Sequence, residues 1–358
     1  MTQSQEVDVH NQDSRRRDVK NKSVKRITIA IAKVLILAIV CLWLIKTLYA
    51  SWDAIKHYDW RPQWGWIVAS GAFYLIGFFF AAIYWLATLR RLGQRAGLWQ
   101  TVAAYYYGQL GKYAPGKALV VIIRTSVLAS RRGNRASVVA TSVFYETLAM
   151  MGVGAFIGAS ILLVTLRDNK LFSMLAFAVA LGALAPLLPP IFTRIVKFLK
   201  IGKDDCDVQN ALQRFSMRHL ALGIALMTAL WLFFGLSLWA ALRGLGVATE
   251  PACASLHHYV AVVSLATSLG FVMLVSPGGL GVREFILATA LVPYLKTLLT
   301  LPENASVLID ATAIATVVSL EHRMISIIAE LCAATALFIV EKLTNARKRR
   351  DRHEEETD

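Results

Sequence analysis

Residues 256–301 read LHHYVAVVSLATSLGFVMLVSPGGLGVREFILATALVPYLKTLLTL. Two apolar runs, 256–276 and 285–301, stand on either side of Ser276, Pro277, Gly278, Gly279, Leu280, Gly281, Val282, Arg283 and Glu284. Each run is near the roughly 20 residues that a helix needs to cross a bilayer. Helix breakers beside a cation at membrane depth are costly unless they line a cavity or are buried in protein. A second stretch has the same character. It runs Leu110, Gly111, Lys112, Tyr113, Ala114, Pro115, Gly116, Lys117, with Arg124 farther along. These two stretches point to where the protein works.

Outward from them the chain is mostly membrane. Of its 358 residues 56% are hydrophobic and 17% charged, which fits a polytopic membrane protein rather than a soluble globule. The spacing predicts about eight spans, at 29–49, 64–88, 137–166, 171–192, 219–243, 256–276, 285–301 and 307–341. The fold class expected is an all-α transmembrane bundle with two re-entrant Pro-Gly segments. Residues 98–129 read as one such hairpin, because the apolar run Ala118–Ile123 is too short to cross. Residues 194–216 read as a surface amphipathic helix. The first apolar run has a long basic approach and Lys33 within it, so it reads as a signal anchor rather than a cleaved leader.

The formal net charge is +15, but the cations gather at the ends of apolar runs, so nucleic acid is not the expected partner. Lys and Arg crowd the segments 1–26, 89–136, 193–218 and 344–358, while the alternating loops carry few. With an even number of spans all the basic segments fall on the cytoplasmic side, and both termini with them. Trp52, Trp60, Trp64 and Trp66 surround the first external loop as an interfacial belt would. The domain reading is a basic tail at 1–26, a membrane domain at 27–343 with candidate halves 27–200 and 215–343, and a charged tail at 344–358. Broken segments at matching positions of two halves are a mark of a transport site and of an internal repeat.

Pro115 and Pro277 remove amide donors, and Gly116, Gly278, Gly279 and Gly281 permit turns that a Cβ would forbid. Backbone amides at the start of the following helix, with Lys112, Lys117, Arg124 and Arg283, make a lipid phosphate the natural ligand. The alternative is an interfacial turn with snorkelling cations. Within the spans Glu146, Glu321, His322, Arg323 and Glu330 need partners or water. Arg323 and Glu330 are seven apart and share a helix face, and a structural ion pair is one reading of them.

No serine-hydrolase elbow, zinc-protease helix, P-loop or dinucleotide fingerprint is present, so no enzyme, catalytic residue or cofactor is expected. Cys41, Cys206, Cys253 and Cys332 form no C-x-x-C pair, and His257 and His258 have no matching carboxylate pattern, so no metal is expected either.

The order of a Pro-Gly turn, Arg124, Glu146, the Ser-Pro-Gly-Gly-x-Gly-x-Arg-Glu stretch and Arg323 resembles the lysylphosphatidylglycerol synthase transmembrane-region family, also called flippase-like domain proteins. The resemblance runs over residues 29–341. It implies a bacterial or archaeal inner-membrane protein that moves or handles lipids. In the two-part synthases, such a domain is taken to translocate the aminoacylated lipid while a separate soluble domain makes it. No such soluble domain is read in this chain, so aminoacyl transfer is not expected of it. Thr147 follows Glu146 where the family often has arginine, and Ala114 and Lys117 stand where small or glycine residues are frequent.

The leading expectation is a translocase of a phospholipid or glycolipid. Lys112, Lys117, Arg124, Arg283 and Arg323 would hold the head group, with Glu146, Glu284 and Glu321 balancing charge. The rival is an accessory subunit that binds a polyprenyl-phosphate glycolipid for a separate transferase. A third reading is an intramembrane enzyme using Glu146 or Glu284 as an acid-base group.

Overall fold

The computed structural model describes Lys46, Tyr49, Lys56 and residues 60–355, apart from 114–117, 166–169, 200, 202–204, 248–250, 273–280 and 299–304. Among the described residues the regular elements are all helices. They are α1 (Trp64–Arg91), α2 (Leu98–Leu110), α3 (Ala118–Arg132), α4 (Ala136–Thr165), α5 (Lys170–Leu184), α6 (Pro189–Phe198), α7 (Cys206–Leu212), α8 (Met217–Gly244), α9 (Ala252–Val272), α10 (Val282–Leu298) and α11 (Ala305–Glu355). Hydrocarbon offers the backbone no partners, so each apolar segment satisfies its own amides as a helix. Short 3₁₀ turns follow α2 at Gly111–Tyr113 and α5 at Ala185–Leu187.

Among the described residues four helices are long and apolar enough to cross a membrane: Trp64–Arg91, Ala136–Leu163, Met217–Gly244 and Ala311–Thr344. The eight expected spans are therefore not all found as crossing helices among the described residues. The run 29–49, apart from Lys46 and Tyr49, lies outside them, as do the tail 1–26 and both loop tips, with Pro115, Gly116, Lys117, Pro277, Gly278 and Gly279. The run 171–192 is broken. Its two parts, Ser173–Leu187 and Pro189–Phe198, bend by 77° and could make a fifth span only if taken together. Pro186, Pro189 and Pro190 explain the break, because each lacks an amide donor and blocks the preceding turn. The run 285–301 appears as α10, whose 17 residues extend about 26 Å, short of the roughly 30 Å hydrocarbon core.

Two other boundaries differ from the sequence reading. The surface helix expected at 194–216 is two helices, α6 and α7, and Asp205 caps α7 by accepting the Asp207 amide at 2.9 Å. Its neighbour Asp207 pairs with Arg135, which ties α7 to the start of α4. At the other end of the chain α11 runs past the expected apolar span of 307–341; its backbone stays helical to Glu355.

The core sits between α1 and α8, the most extensive helix contact in the molecule. Trp85 and Tyr74 from α1 meet Trp231 and Phe234 from α8, all almost wholly buried. Tyr74 and Phe234 stack at 4.8 Å. Lipid tails are as apolar as these side chains, so close packing and internal hydrogen bonds hold the helices together. Two indole N–H groups in this core accordingly have acceptors: Trp85 donates to Ser142 Oγ at 2.9 Å and Trp231 to the Met150 carbonyl at 3.0 Å.

Two sets of four helices follow the same order, a long first and last helix around two others: α1–α4 and α8–α11. The two sets interleave. Helix α4 of the first packs on α9 of the second, and α11 of the second packs on α1 and α2 of the first.

Candidate functional site

The first site element is the hairpin of α2 and α3. At 13 and 15 residues neither arm reaches across a bilayer. Gly108 on α2 faces Arg124 on α3, and a Cβ there would lie 2.5 Å from Arg124 Cγ. Only glycine lets the arginine stem cross so close to the other arm. The stem then delivers the guanidinium to α4, where Arg124 Nη1 donates to Glu146 Oε2 at 2.7 Å. Tyr105 donates its hydroxyl to Glu146 Oε1 at 2.9 Å, and the guanidinium lies 3.8 Å from the Tyr105 ring centroid. Arg124 is 2% exposed and Glu146 1%, so the pair is a buried one whose carboxylate oxygens are both bonded.

A second ionic cluster forms where the hairpin meets α11. Lys112 pairs with Glu330, a buried side chain. Tyr74 donates to Glu330 Oε1 at 2.6 Å and Tyr113 to Oε2 at 2.9 Å. The sequence reading placed Arg323 and Glu330 on one helix face as a candidate pair. The structure instead gives Glu330 to Lys112, because the hairpin brings an ammonium group up to α11. Arg323 turns to α10, with Nε 3.6 Å from Glu284 Oε1.

The start of α10 is the third element. Gly281 has φ +83°, a conformation that costs an L-residue with a side chain but not glycine. Its amide donates to Glu284 Oε2 at 2.6 Å, so Glu284 reaches back over the first turn as one half of a capping box. Between them in sequence, Arg283 is buried, at 5% exposed. Gly270 on α9 makes room for it, since a Cβ there would lie 3.2 Å from Arg283 Cβ. A glycine on the preceding helix thus admits an arginine on the following one, as Gly108 does for Arg124.

A cavity of about 380 Å³ joins these elements. Lys112, Arg124, Arg283, Arg323 and Glu146 line it together with apolar side chains that include Phe144, Met150, Met151 and Phe271. Of the residues read from sequence, the fold therefore brings four cations and one carboxylate to one space, and Glu284 lies behind Arg323. Glu321 is not among the lining residues. It is half-buried at the end of α8, its Oε1 3.5 Å from where a Cβ on Gly244 would stand. Its neighbour His322 faces Ser237 instead, with Nε2 3.0 Å from the hydroxyl.

The sequence reading missed Tyr74, Tyr105, Tyr113 and Gln109, which share the walls or bond the carboxylates. Hydroxyls at apolar-run positions, such as the Tyr105–Tyr107 run, were the available signal. Gly108 and Gly270 gave none, since a glycine in an apolar helix reads as packing.

A family model described as the lysylphosphatidylglycerol synthase TM region matches residues 30–299. The chain belongs to that family. With its long apolar helices it is an integral membrane protein, in a family that points to lipid handling. The match ends before α11 reaches Arg323 and Glu330, although the resemblance read from sequence extended to residue 341. No curated protein matches the chain.

Chemically, the site is a cluster of donors in a low-dielectric space. Lys112, Arg124 and Arg323 each face a carboxylate: Glu330, Glu146 and Glu284. Arg283 has no ion-pair partner among the described residues, and its Nη2 has no hydrogen-bond partner there. A buried guanidinium in that state is stabilised by an anion, and its planar fork suits phosphate.

Proposed function

We propose that the protein binds the phosphate-bearing head group of a membrane lipid in this cavity and moves the lipid across the bilayer. The observation that carries the reading is Arg283, a buried cation on the cavity wall with no carboxylate paired to it among the described residues. The mixed lining supports it, since Phe144, Met150, Met151 and Phe271 suit an acyl or isoprenoid chain next to the charged groups. The family supports it further, its name being that of a membrane region tied to a phospholipid. In this reading the protein resides in the inner membrane with both termini cytoplasmic, as the distribution of basic segments favours. The two Pro-Gly turns serve as re-entrant tips that meet the head group at depth. No catalytic residue is invoked.

The test is transport of fluorescent phospholipids in vesicles reconstituted with the purified chain. Transport is expected to fall to the protein-free rate in the Arg124→Ala, Arg283→Ala double variant. Equal rates in wild type and double variant remove the assignment.

A lipid-binding subunit for a separate transferase is the second reading. It is favoured by the two buried ion pairs, Arg124–Glu146 and Lys112–Glu330, which lock the cavity walls to one another. Retained lipid binding with no transport, and co-purification with a glycosyltransferase, select it.

A further inference from the structure

The family's name suggests a lipid whose head group carries amines as well as phosphate. An ammonium group in a buried site needs an acceptor, and the strongest acceptor is a carboxylate. Three carboxylates lie in or behind the cavity walls, and each already faces a cation. Glu146 accepts from Tyr105 and Arg124. Glu330 accepts from Lys112 and Tyr74 on one oxygen and from Tyr113 on the other. Glu284 accepts the Gly281 amide on Oε2; its Oε1 has no hydrogen-bond partner among the described residues but lies 3.6 Å from Arg323 Nε, paired by charge alone.

The unpartnered groups on the lining residues have the opposite character. Arg283 Nη2, Arg124 Nε and Thr267 Oγ1 have no hydrogen-bond partner among the described residues. Two of the three are cationic donors. The stretches that adjoin these walls in sequence, 114–117 and 273–280, contain no Asp or Glu; they contain Lys117. Among the described residues four cations against three carboxylates leave the site one positive charge in excess, before any head group enters.

We infer that the cavity selects a head group whose only charge is phosphate and rejects aminoacylated and other amine-bearing lipids. This rests on the lipid-binding reading above and names its substrate class. A phosphodiester glycerolipid and a polyprenyl monophosphate both satisfy it. The phosphate sits against Arg283 and neutralises the excess charge. A lysyl group would instead add two ammonium charges to a site whose carboxylates are taken, and like charges in a desolvated site oppose binding strongly.

Native mass spectrometry of the full chain in maltoside micelles tests this, titrating phosphatidylglycerol, a polyprenyl monophosphate and lysyl-phosphatidylglycerol in parallel. Either or both of the first two are expected to bind at least about tenfold more tightly than the third, and the comparison of those two identifies the source of the phosphate. Arg283→Gln should remove the preference and Arg283→Lys should keep it. Arg124→Gln releases Glu146 Oε2, so it should improve lysyl-phosphatidylglycerol relative to phosphatidylglycerol. Lysyl-phosphatidylglycerol binding as tightly as the others, with all affinities reduced by Arg283→Gln, overturns the selectivity and leaves the lipid site standing. Binding of all three that ignores Arg283→Gln overturns both.

Discussion

Replacing Arg124 by methionine removes the guanidinium while keeping most of the apolar stem. The variant leaves Glu146 buried and 1% exposed, with only the Tyr105 hydroxyl still bonded to it. Breaking a buried pair by removing one partner costs about 3–5 kcal/mol, mostly from the uncompensated charge left behind. The guanidinium also stacks 3.8 Å from the Tyr105 centroid and 5.2 Å from Trp85, which adds about 1–2 kcal/mol. Hydrogen bonds between membrane helices average less, about 0.6 kcal/mol, because the unfolded helices find other partners in the membrane. The ionic figure governs here because the remaining carboxylate has no other cation bonded to it among the described residues. Unfolding by sodium dodecyl sulfate in mixed micelles, followed by tryptophan fluorescence, measures it. Arg124→Met and Glu146→Gln should each destabilise by several kcal/mol, and the double variant by clearly less than their sum. Single losses below about 1 kcal/mol that add without coupling would refute a buried, mutually compensating pair.

Three further outcomes follow from the same geometry. Gly108→Ala places a Cβ 2.5 Å from Arg124 Cγ, so it should cost about 1–3 kcal/mol in the same assay and show little further loss in an Arg124→Ala background, which has no Cγ. Tyr74→Phe removes the 2.6 Å donor to Glu330, a bond to a charged group worth about 1.5–3 kcal/mol; an unchanged midpoint would contradict that bond. Glu321→Gln should be neutral or stabilising, because both carboxylate oxygens are buried with no hydrogen-bond partner among the described residues; a loss of stability comparable with that of Arg124→Met would reveal a partner.

The long helices were legible because hydrophobic length is read directly from residue types. Runs at 64–88, 137–166, 219–243 and 307–341 coincide with helices long enough to cross. The break in 171–192 was also written in the chain, as Pro186, Pro189 and Pro190, but the length of the apolar run outweighed it. The site was half legible. Arg124, Arg283 and Arg323 stand out because intramembrane cations are costly, and the fold gathers them around one cavity. Their partners were not legible. Spacing on one helix suggested Arg323 with Glu330, but a hairpin far away in sequence supplies Lys112 to Glu330 and α10 supplies Glu284 to Arg323. Pairing is a tertiary fact, and one helix cannot state it. Gly108 and Gly270 were hidden for the same reason, since their role exists only opposite an arginine on another helix.

The central claim is that a lipid phosphate occupies the cavity beside Arg283. A photoactivatable phosphatidylglycerol with its reactive group near the head of one acyl chain, cross-linked in vesicles and mapped by peptide mass spectrometry, tests it most directly. The account predicts adducts concentrated on Met150, Met151 and Phe271, and their loss in Arg283→Gln but not in Arg283→Lys. Adducts confined to lipid-facing positions such as Leu171, Phe177 and Ile328, unchanged by Arg283→Gln, would contradict it.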